Sequence, residues 1–314
     1  MDTLFVDRKG TVLEVQAGRL LLRVSDEPRP VSLPIRQLRY IAVSTNVSLS
    51  STILLALTAA GVTLVLVHPR KVNEVVVVNG DGHGAVARRL QQARAVQSPS
   101  CCLVLARALV RGKLVAYYRV GLRCLRRRPD LRRPLTRLLG QIRSAYGAVA
   151  DATSLDQIRG YEGAAASAWF GAYARLLPPH WQFSTRQRRP PPDPVNAVLS
   201  LTYTLLHGEA VRALAAHGLD PSLGTLHEPG YGRESLACDL QELLRAEVDE
   251  WVLMLMKQSL KPTHFAQGEG QALLNKDGRA LFYPLFQQRA KRWRKRCRDL
   301  AWHFVEQLEW HHGS

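Results

Sequence analysis

The chain reads as an α+β protein: a small β-rich, sandwich-like domain over residues 1–84, then a larger all-helical domain over 85–314. Three observations predict this. Before about residue 84, apolar residues come in short β-branched runs separated by turn signals. Beyond it, Ala, Leu, Arg and Gln dominate and proline collects in clusters between segments, as in helices separated by breaks. At 314 residues, 46% hydrophobic and 22% charged, the chain has the length and composition for two folded cores.

In the first part, Thr11–Val15, Arg19–Val24 and Leu38–Val43 read as strands, separated by Gln16-Ala17-Gly18 and Pro34. Ser48–Ala60 reads as a short helix and Val62–Val67 as another strand. Val75–Val78 reads as a strand entering the tight turn Asn79-Gly80-Asp81-Gly82. The longest apolar run, Ile53 to Val67, is 15 residues, too short to cross a bilayer. In the second part, Ser154 and Gln157 have the spacing of a capping box. The helix they open carries Ile158, Tyr161, Ala165, Trp169, Ala172 and Leu176 as a buried stripe and stops at Pro178-Pro179. Asp193 to about His217 and Ser235 to about Lys257 read as two further helices.

Charge narrows the partners. Lys+Arg 43 against Asp+Glu 26 gives a net charge of +17, which favours a polyanion. Arginine supplies 35 of these cations, and its planar fork grips phosphate through two oxygens; a coding bias toward arginine is the plain alternative for part of the excess. Fifteen Lys/Arg but only Asp130 among acids lie between Arg88 and Arg143, so this tract has few internal partners. Arg88, Arg89, Arg126, Arg127 and Arg128 are its candidate DNA contacts. Arg186, Arg188 and Arg189 join them from Gln182–Pro191. Arg292 and Arg294 come from a run of seven cations around Trp293, which reads equally as a phosphate-gripping helix or a mobile tail. Membrane association is disfavoured because the basic segments lack an apolar face. Five cysteines without a CxxC pair suggest reduced thiols in a cytoplasmic protein, and the opening MDTLFVDRKG has no signal-peptide layout.

The candidate chemistry lies in LHEPGYGRESLACDLQE, Leu226 to Glu242. His227 sits in a Pro/Gly turn, and Asp239 and Glu242, three apart, leave one side of a helix. Imidazole with carboxylates is a metal-binding chemistry. Taken singly, each of these residues is better explained as a hydrogen-bonder or a solvated acid. Glu162, in Arg159-Gly160-Tyr161-Glu162-Gly163, is a third acid, with small neighbours that allow close helix approach.

Several linked motifs, in order, make the chain resemble CRISPR-associated protein one, the integrase/endonuclease of spacer acquisition. They are Leu33-Pro34-Ile35, Val47-Ser48-Leu49-Ser50, Arg88-Arg89 with Gln91-Gln92, Gly160-Tyr161-Glu162-Gly163-Ala164-Ala165, and Arg189-Pro190-Pro191-Pro192-Asp193-Pro194-Val195-Asn196-Ala197. Tyr203-Thr204-Leu205-Leu206, Gly218-Leu219-Asp220-Pro221, Leu226-His227-Glu228-Pro229 and Ser235-Leu236-Ala237-Cys238-Asp239-Leu240 complete the set. The resemblance implies that Glu162, His227 and Asp239 are catalytic and ligate Mg²⁺ or Mn²⁺, with Glu242 as a nearby acid. The family's acidic pair and Arg-Pro after the aspartate are replaced here by Gln241-Glu242-Leu243-Leu244-Arg245-Ala246, which leaves the role of Glu242 open. The resemblance also implies insertion of short DNA fragments into a repeat array by 3′-hydroxyl transesterification. Its implied partners are double-stranded DNA, a second copy of the chain paired through the β domains, and CRISPR-associated protein two. A metal-dependent nuclease on branched DNA or RNA in repair, and a non-catalytic DNA-binding scaffold, are the rival functions.

Overall fold

The computed structural model describes residues 3–24, 27, 29–38, 40–67, 75–78, 86–188, 190–268 and 271–310. The expected turn at Asn79–Gly82 and Arg189 lie outside them. The chain divides into two compact units: Met1–Gly84 with Phe282–Ala290, and Ala85–Leu281 with Lys291–Ser314.

The first unit holds two four-stranded sheets. One is ordered β1 (Thr3–Val6), β5 (Tyr40–Val43), β7 (Thr63–Val67), β8 (Val75–Val78). Its first three strands run parallel and β8 pairs antiparallel with β7. The other is ordered β4 (Val31–Pro34), β3 (Arg19–Arg23), β2 (Val12–Gln16), β6 (Ser48–Leu49). Strands β2 and β3 form a hairpin whose register Gln16↔Arg19 leaves Ala17 and Gly18 as the loop. Both loop residues have positive φ, 49° and 72°, the mirror-image turn that matches strand twist. Helix α1 begins at Ser51, running to Ala59, later than the expected Ser48 because Ser48 and Leu49 add an edge strand beside Val12 and Leu13. Leu13, Leu20 and Leu22 of one sheet, Ile41, Val43 and Leu64 of the other, and Ile53 and Leu57 of α1 share one apolar core. The segment Phe282–Ala290 adds aromatic packing: the Tyr283 ring stacks on Phe5 at 4.6 Å.

The second unit is built from α2 (Val86–Gln97), α3 (Pro99–Arg127), α4 (Arg132–Asp151), α5 (Leu155–Leu176), α6 (Pro194–Ala216), α7 (Ser235–Glu242), α8 (Arg245–Gln258) and the second-unit part of α9 (Lys276–Trp310). A two-stranded hairpin, β9 (Phe265–Gly268) with β10 (Gln271–Leu274), lies within it. Caps fix several helix starts. Ser154 accepts from the Gln157 N–H and Asp193 from the Asn196 N–H, while Gln157 reaches back to the Thr153 N–H at 2.8 Å. The buried stripe of α5 runs through Ile158, Ala165, Trp169, Ala172 and Leu176, but Tyr161 is 37% exposed. Glu162, one position further round, is partly buried. The expected helix from Ser235 to Lys257 is two helices. At Leu243 and Leu244 the backbone bonds shorten to i→i−3, which turns the chain between α7 and α8. No helix among the described residues is long and apolar enough to cross a membrane.

Candidate functional site

The site is organised by one carboxylate. Asp239 of α7 is completely buried, and its oxygens collect the loop that carries His227. Oδ2 accepts the N–H groups of Thr225 (2.7 Å) and Leu226 (3.0 Å). Oδ1 accepts the His227 N–H (3.0 Å) and its Nδ1 (2.6 Å). An oxygen that already accepts backbone N–H groups takes Nδ1 as a donor, so Nε2 keeps its lone pair for another partner. Gly224 makes this wrap possible: a Cβ there would lie 2.7 Å from the His227 carbonyl oxygen and from Ser235. Upstream, the buried side chain of Gln92 on α2 bonds the Asp220 N–H and the carbonyls of Asp220 and Leu223. That gives the arginine–glutamine entry to this unit a structural task.

Helix α5 is tied to the same loop. Arg159 donates to the Leu226 carbonyl through Nε (3.1 Å) and Nη2 (2.9 Å) and pairs with Glu228 at 2.8 Å. Glu162 stands one turn further along α5, with its side chain 24% exposed. The imidazole of His227 is 27% exposed. Of the three residues named from the sequence, His227 and Asp239 are in direct contact, and Glu162 lies on the helix that Arg159 ties to the same loop.

A fourth residue, which sequence reasoning missed, is Lys113 of α3. It is 1% exposed, and its ammonium pairs with both Glu162 and, at 2.6 Å, Glu242. Glu242 also takes Arg245 at 2.9 Å. Burial pushes the Glu242 carboxyl up, but Arg245 and Lys113, with a smaller pull from His227, bring it down to about 2. Glu242 is thus held as an ion by internal cations. The signal for Lys113 was present in the sequence: Ala106, Val110, Tyr117, Val120 and Cys124 recur at helical spacing, and position 113 falls on that buried stripe.

For a divalent cation the donor set fits in kind, offering a half-exposed carboxylate and an imidazole whose free nitrogen is aimed by a buried acid, a common outer-shell arrangement. No group of three His, Cys, Asp or Glu side chains among the described residues is gathered tightly enough to hold a metal ion. Asp239 is engaged by four N–H donors and Glu162 by an ammonium.

The expected DNA contacts divide into two groups. Arg126, Arg188 and Arg292 are exposed, as is Arg89. Arg127 is exposed and lies 3.8 Å from Glu250. Others bond within the chain, and Arg294, being buried, departs from the expectation. Arg294 is 6% exposed and pairs with buried Glu209 at 3.1 Å. Arg186 is half-buried, bonding Asn196 and Ser200 of α6. Arg128 forks onto Asp130, and Arg88 donates to the His217 carbonyl at 2.7 Å. In each case an acceptor of this chain lies within reach, which a linear count of charges does not register.

The fold and this arrangement define a two-unit protein, β-rich then helical, with an acid–imidazole site in the helical unit. The family model described as CRISPR associated protein Cas1 matches residues 4–288, and the chain belongs to that family. It is 34% identical over 317 residues to a CRISPR-associated endonuclease Cas1 of Thermodesulfovibrio yellowstonii, covering 98% of this chain and 99% of that one. It is 37% identical over 291 residues to one from Thermus thermophilus, covering 91% and 86%. Among solved structures, a Thermotoga maritima Cas1 superposes with TM-score 0.83 at 20% identity, covering 98% and 97%. A casposase bound to integration product superposes with TM-score 0.79 at 20% identity, covering 98% and 91%.

Proposed function

We propose that this chain is a divalent-metal-dependent DNA integrase and endonuclease of CRISPR adaptation. One observation carries the proposal: Asp239 folds the His227 loop around itself and orients its imidazole, while Arg159 fastens that loop to α5 one turn from Glu162. Family membership and the casposase likeness agree with it.

Mg²⁺ or Mn²⁺ would be held by Glu162, His227 and Asp239, and when bound would supply Lewis-acid stabilisation of charge on a phosphodiester. For Asp239 to serve as a ligand, Nδ1 of His227 has to leave its oxygen. The residues themselves do the rest of the positioning. Asp239 fixes the loop and the ring orientation of His227, and Arg159 fixes the loop against α5. In the overall exchange, the 3′-oxygen of an incoming DNA fragment bonds to phosphorus at the repeat, the existing P–O bond breaks, and the proton of the attacking hydroxyl ends on the departing oxygen. Water in place of the hydroxyl gives nicking. One phosphodiester replaces another, so no nucleotide cofactor is needed.

Duplex DNA is the proposed substrate, gripped through its backbone. Helix α3 contains no acid and α4 only Asp151 at its end. Their cations lie over tyrosines: Arg111 is 4.3 Å from the Tyr146 ring centre and Arg143 6.0 Å from that of Tyr118, an interleaving suited to nucleic acid. The proposed assembly pairs two copies of this chain and joins them to CRISPR-associated protein two. Solved structures of a Cas6-RT-Cas1–Cas2 complex (TM-score 0.85, 18% identity, covering 98% of this chain and 35% of that one) and a TtCas1-DNA complex (TM-score 0.60, 18%, 96% and 91%) are consistent with it.

The test is strand transfer of a 3′-hydroxyl fragment into a supercoiled repeat plasmid, with Mn²⁺ or with chelator. Glu162→Ala and His227→Ala are expected to abolish transfer while keeping DNA affinity. Cleavage of branched DNA without any joining would favour the repair nuclease. Undiminished joining by both variants would refute the site.

A further inference from the structure

We infer that Lys113 is an internal placeholder for the metal ion: its ammonium closes the acidic site in the metal-free chain, and cation binding must draw Glu162 away from it. This rests on the metal-dependent reading above and adds to it a positioning residue that the reading does not require.

A lysine that is 1% exposed in a helix otherwise packed by apolar residues is costly to keep unless it is fully paired. Lys113 is paired on two sides, with Glu162 from α5 and Glu242 from α7, and it lies 5.6 Å from the Tyr117 ring centre. The pairing is uneven. Glu242 has a second cation in Arg245 at 2.9 Å, whereas among the described residues Glu162 pairs only with Lys113. Lys113 and Arg245 against Glu162 and Glu242 form a closed set of two positive and two negative charges. A divalent ion on Glu162 would face the Lys113 ammonium at close range, and like charges repel strongly where water is scarce. Glu162 is the movable member of the set, half-exposed near the start of α5, while Lys113 and Glu242 are buried.

The experiment measures Mn²⁺ binding to the full chain without DNA, by calorimetry and by the Mn²⁺ electron paramagnetic resonance signal. Wild type is compared with Lys113→Met and with Lys113→Gln, whose amide keeps a hydrogen-bonding group between Glu162 and Glu242 so that folding is kept. Melting temperature is read with and without Mn²⁺. The expected result is a Mn²⁺ dissociation constant about tenfold lower in both variants, a loss of one neighbouring positive charge. The metal-free melting temperature should fall in Lys113→Met and recover on adding Mn²⁺ by more than wild type gains. Equal or weaker binding in the variants, with wild type binding normally, overturns the placeholder role alone and makes Lys113 a partner of the bound state. No Mn²⁺ binding by any of the three proteins overturns the metal-dependent reading and this inference together.

Discussion

The two units bury different things. In the β-rich unit the buried residues are apolar, joined by Thr11 and Thr63 but by no charged side chain among the described residues. The helical unit buries Lys113, Asp193, Glu209, Asp239, Glu242, Asp249 and Arg294. Burying an ion costs free energy that only a full set of partners offsets, so a fold that keeps several has a use for them. Some of these ions are structural and some belong to the site, and their partners tell which. Asp249 is held inside the core by the Trp169 Nε1–H at 2.8 Å and by the Tyr203 hydroxyl. Asp239 is held by the backbone of a loop that carries a partly exposed imidazole.

The largest expected effect comes from Asp239→Asn. The amide turns N–H toward N–H where the carboxylate accepted four, so the His227 loop loses its anchor. Strand transfer should fall by at least about a hundredfold, beyond the usual range for an outer-shell partner because Asp239 is also a proposed ligand. Asp249→Asn should leave transfer within about twofold, since Asp249 touches only core groups. Equal losses in the two variants would erase the distinction between the two aspartates.

Next in size is the pair Glu209–Arg294. Replacing Arg294 by Met leaves Glu209 with Arg212 as its remaining ion-pair partner, and breaking a buried pair costs about 3–5 kcal/mol. Thermal or denaturant unfolding should register that loss while DNA affinity is unchanged. Arg292→Ala, two positions earlier on the opposite side of the helix and exposed, should do the reverse: stability within about 0.5 kcal/mol, and a salt dependence of DNA binding shallower by about one phosphate contact.

That contrast marks what was legible in the sequence. The domain order, the β-branched strands, the caps at Ser154 and Asp193, and the meeting of His227 with Asp239 follow from local pattern or from linked motifs. Long-range pairing does not. Nothing near position 294 announces Glu209, eighty-five residues upstream, and nothing near 113 announces Glu162 or Glu242. The edge strand β6 and the hairpin β9–β10 were missed for a related reason: two to four residues are too few for a period, and pairing across the sheet decides their state. The break at Leu243 and Leu244 carries no glycine or proline, so a continuous helix was the natural reading.

A pH effect sharpens the same comparison at moderate size. His207 is half-buried and lies 3.2 Å from Glu234. Burial disfavours its charged form, but hydrogen bonds with Cys238 and Glu234 outweigh this and raise it to about 9. A folded value above the unfolded one near 6.5 contributes stability that is complete below pH 6.5 and is lost as pH rises through 9. The contribution is about 2–3 kcal/mol. His207→Gln should remove that slope from unfolding measured between pH 6.5 and 9.5. An unchanged slope would mean that the imidazole is neutral in the fold.

The smallest effect belongs to the unit without buried charge. Ala17 has φ 49° in the two-residue loop between β2 and β3, a left-handed conformation that costs a residue with a Cβ about 1 kcal/mol and that asparagine tolerates best. Ala17→Asn creates the Asn-Gly pair preferred for this turn and should stabilise the protein by about 0.5–1 kcal/mol, read as a shift in denaturant midpoint with unchanged slope. Since the hairpin is fixed by local backbone geometry and apolar packing, strand transfer and Mn²⁺ affinity should not move with it. A change in either would mean that the β-rich unit influences the chemistry of the helical one, and that function is not confined to the unit that buries charge.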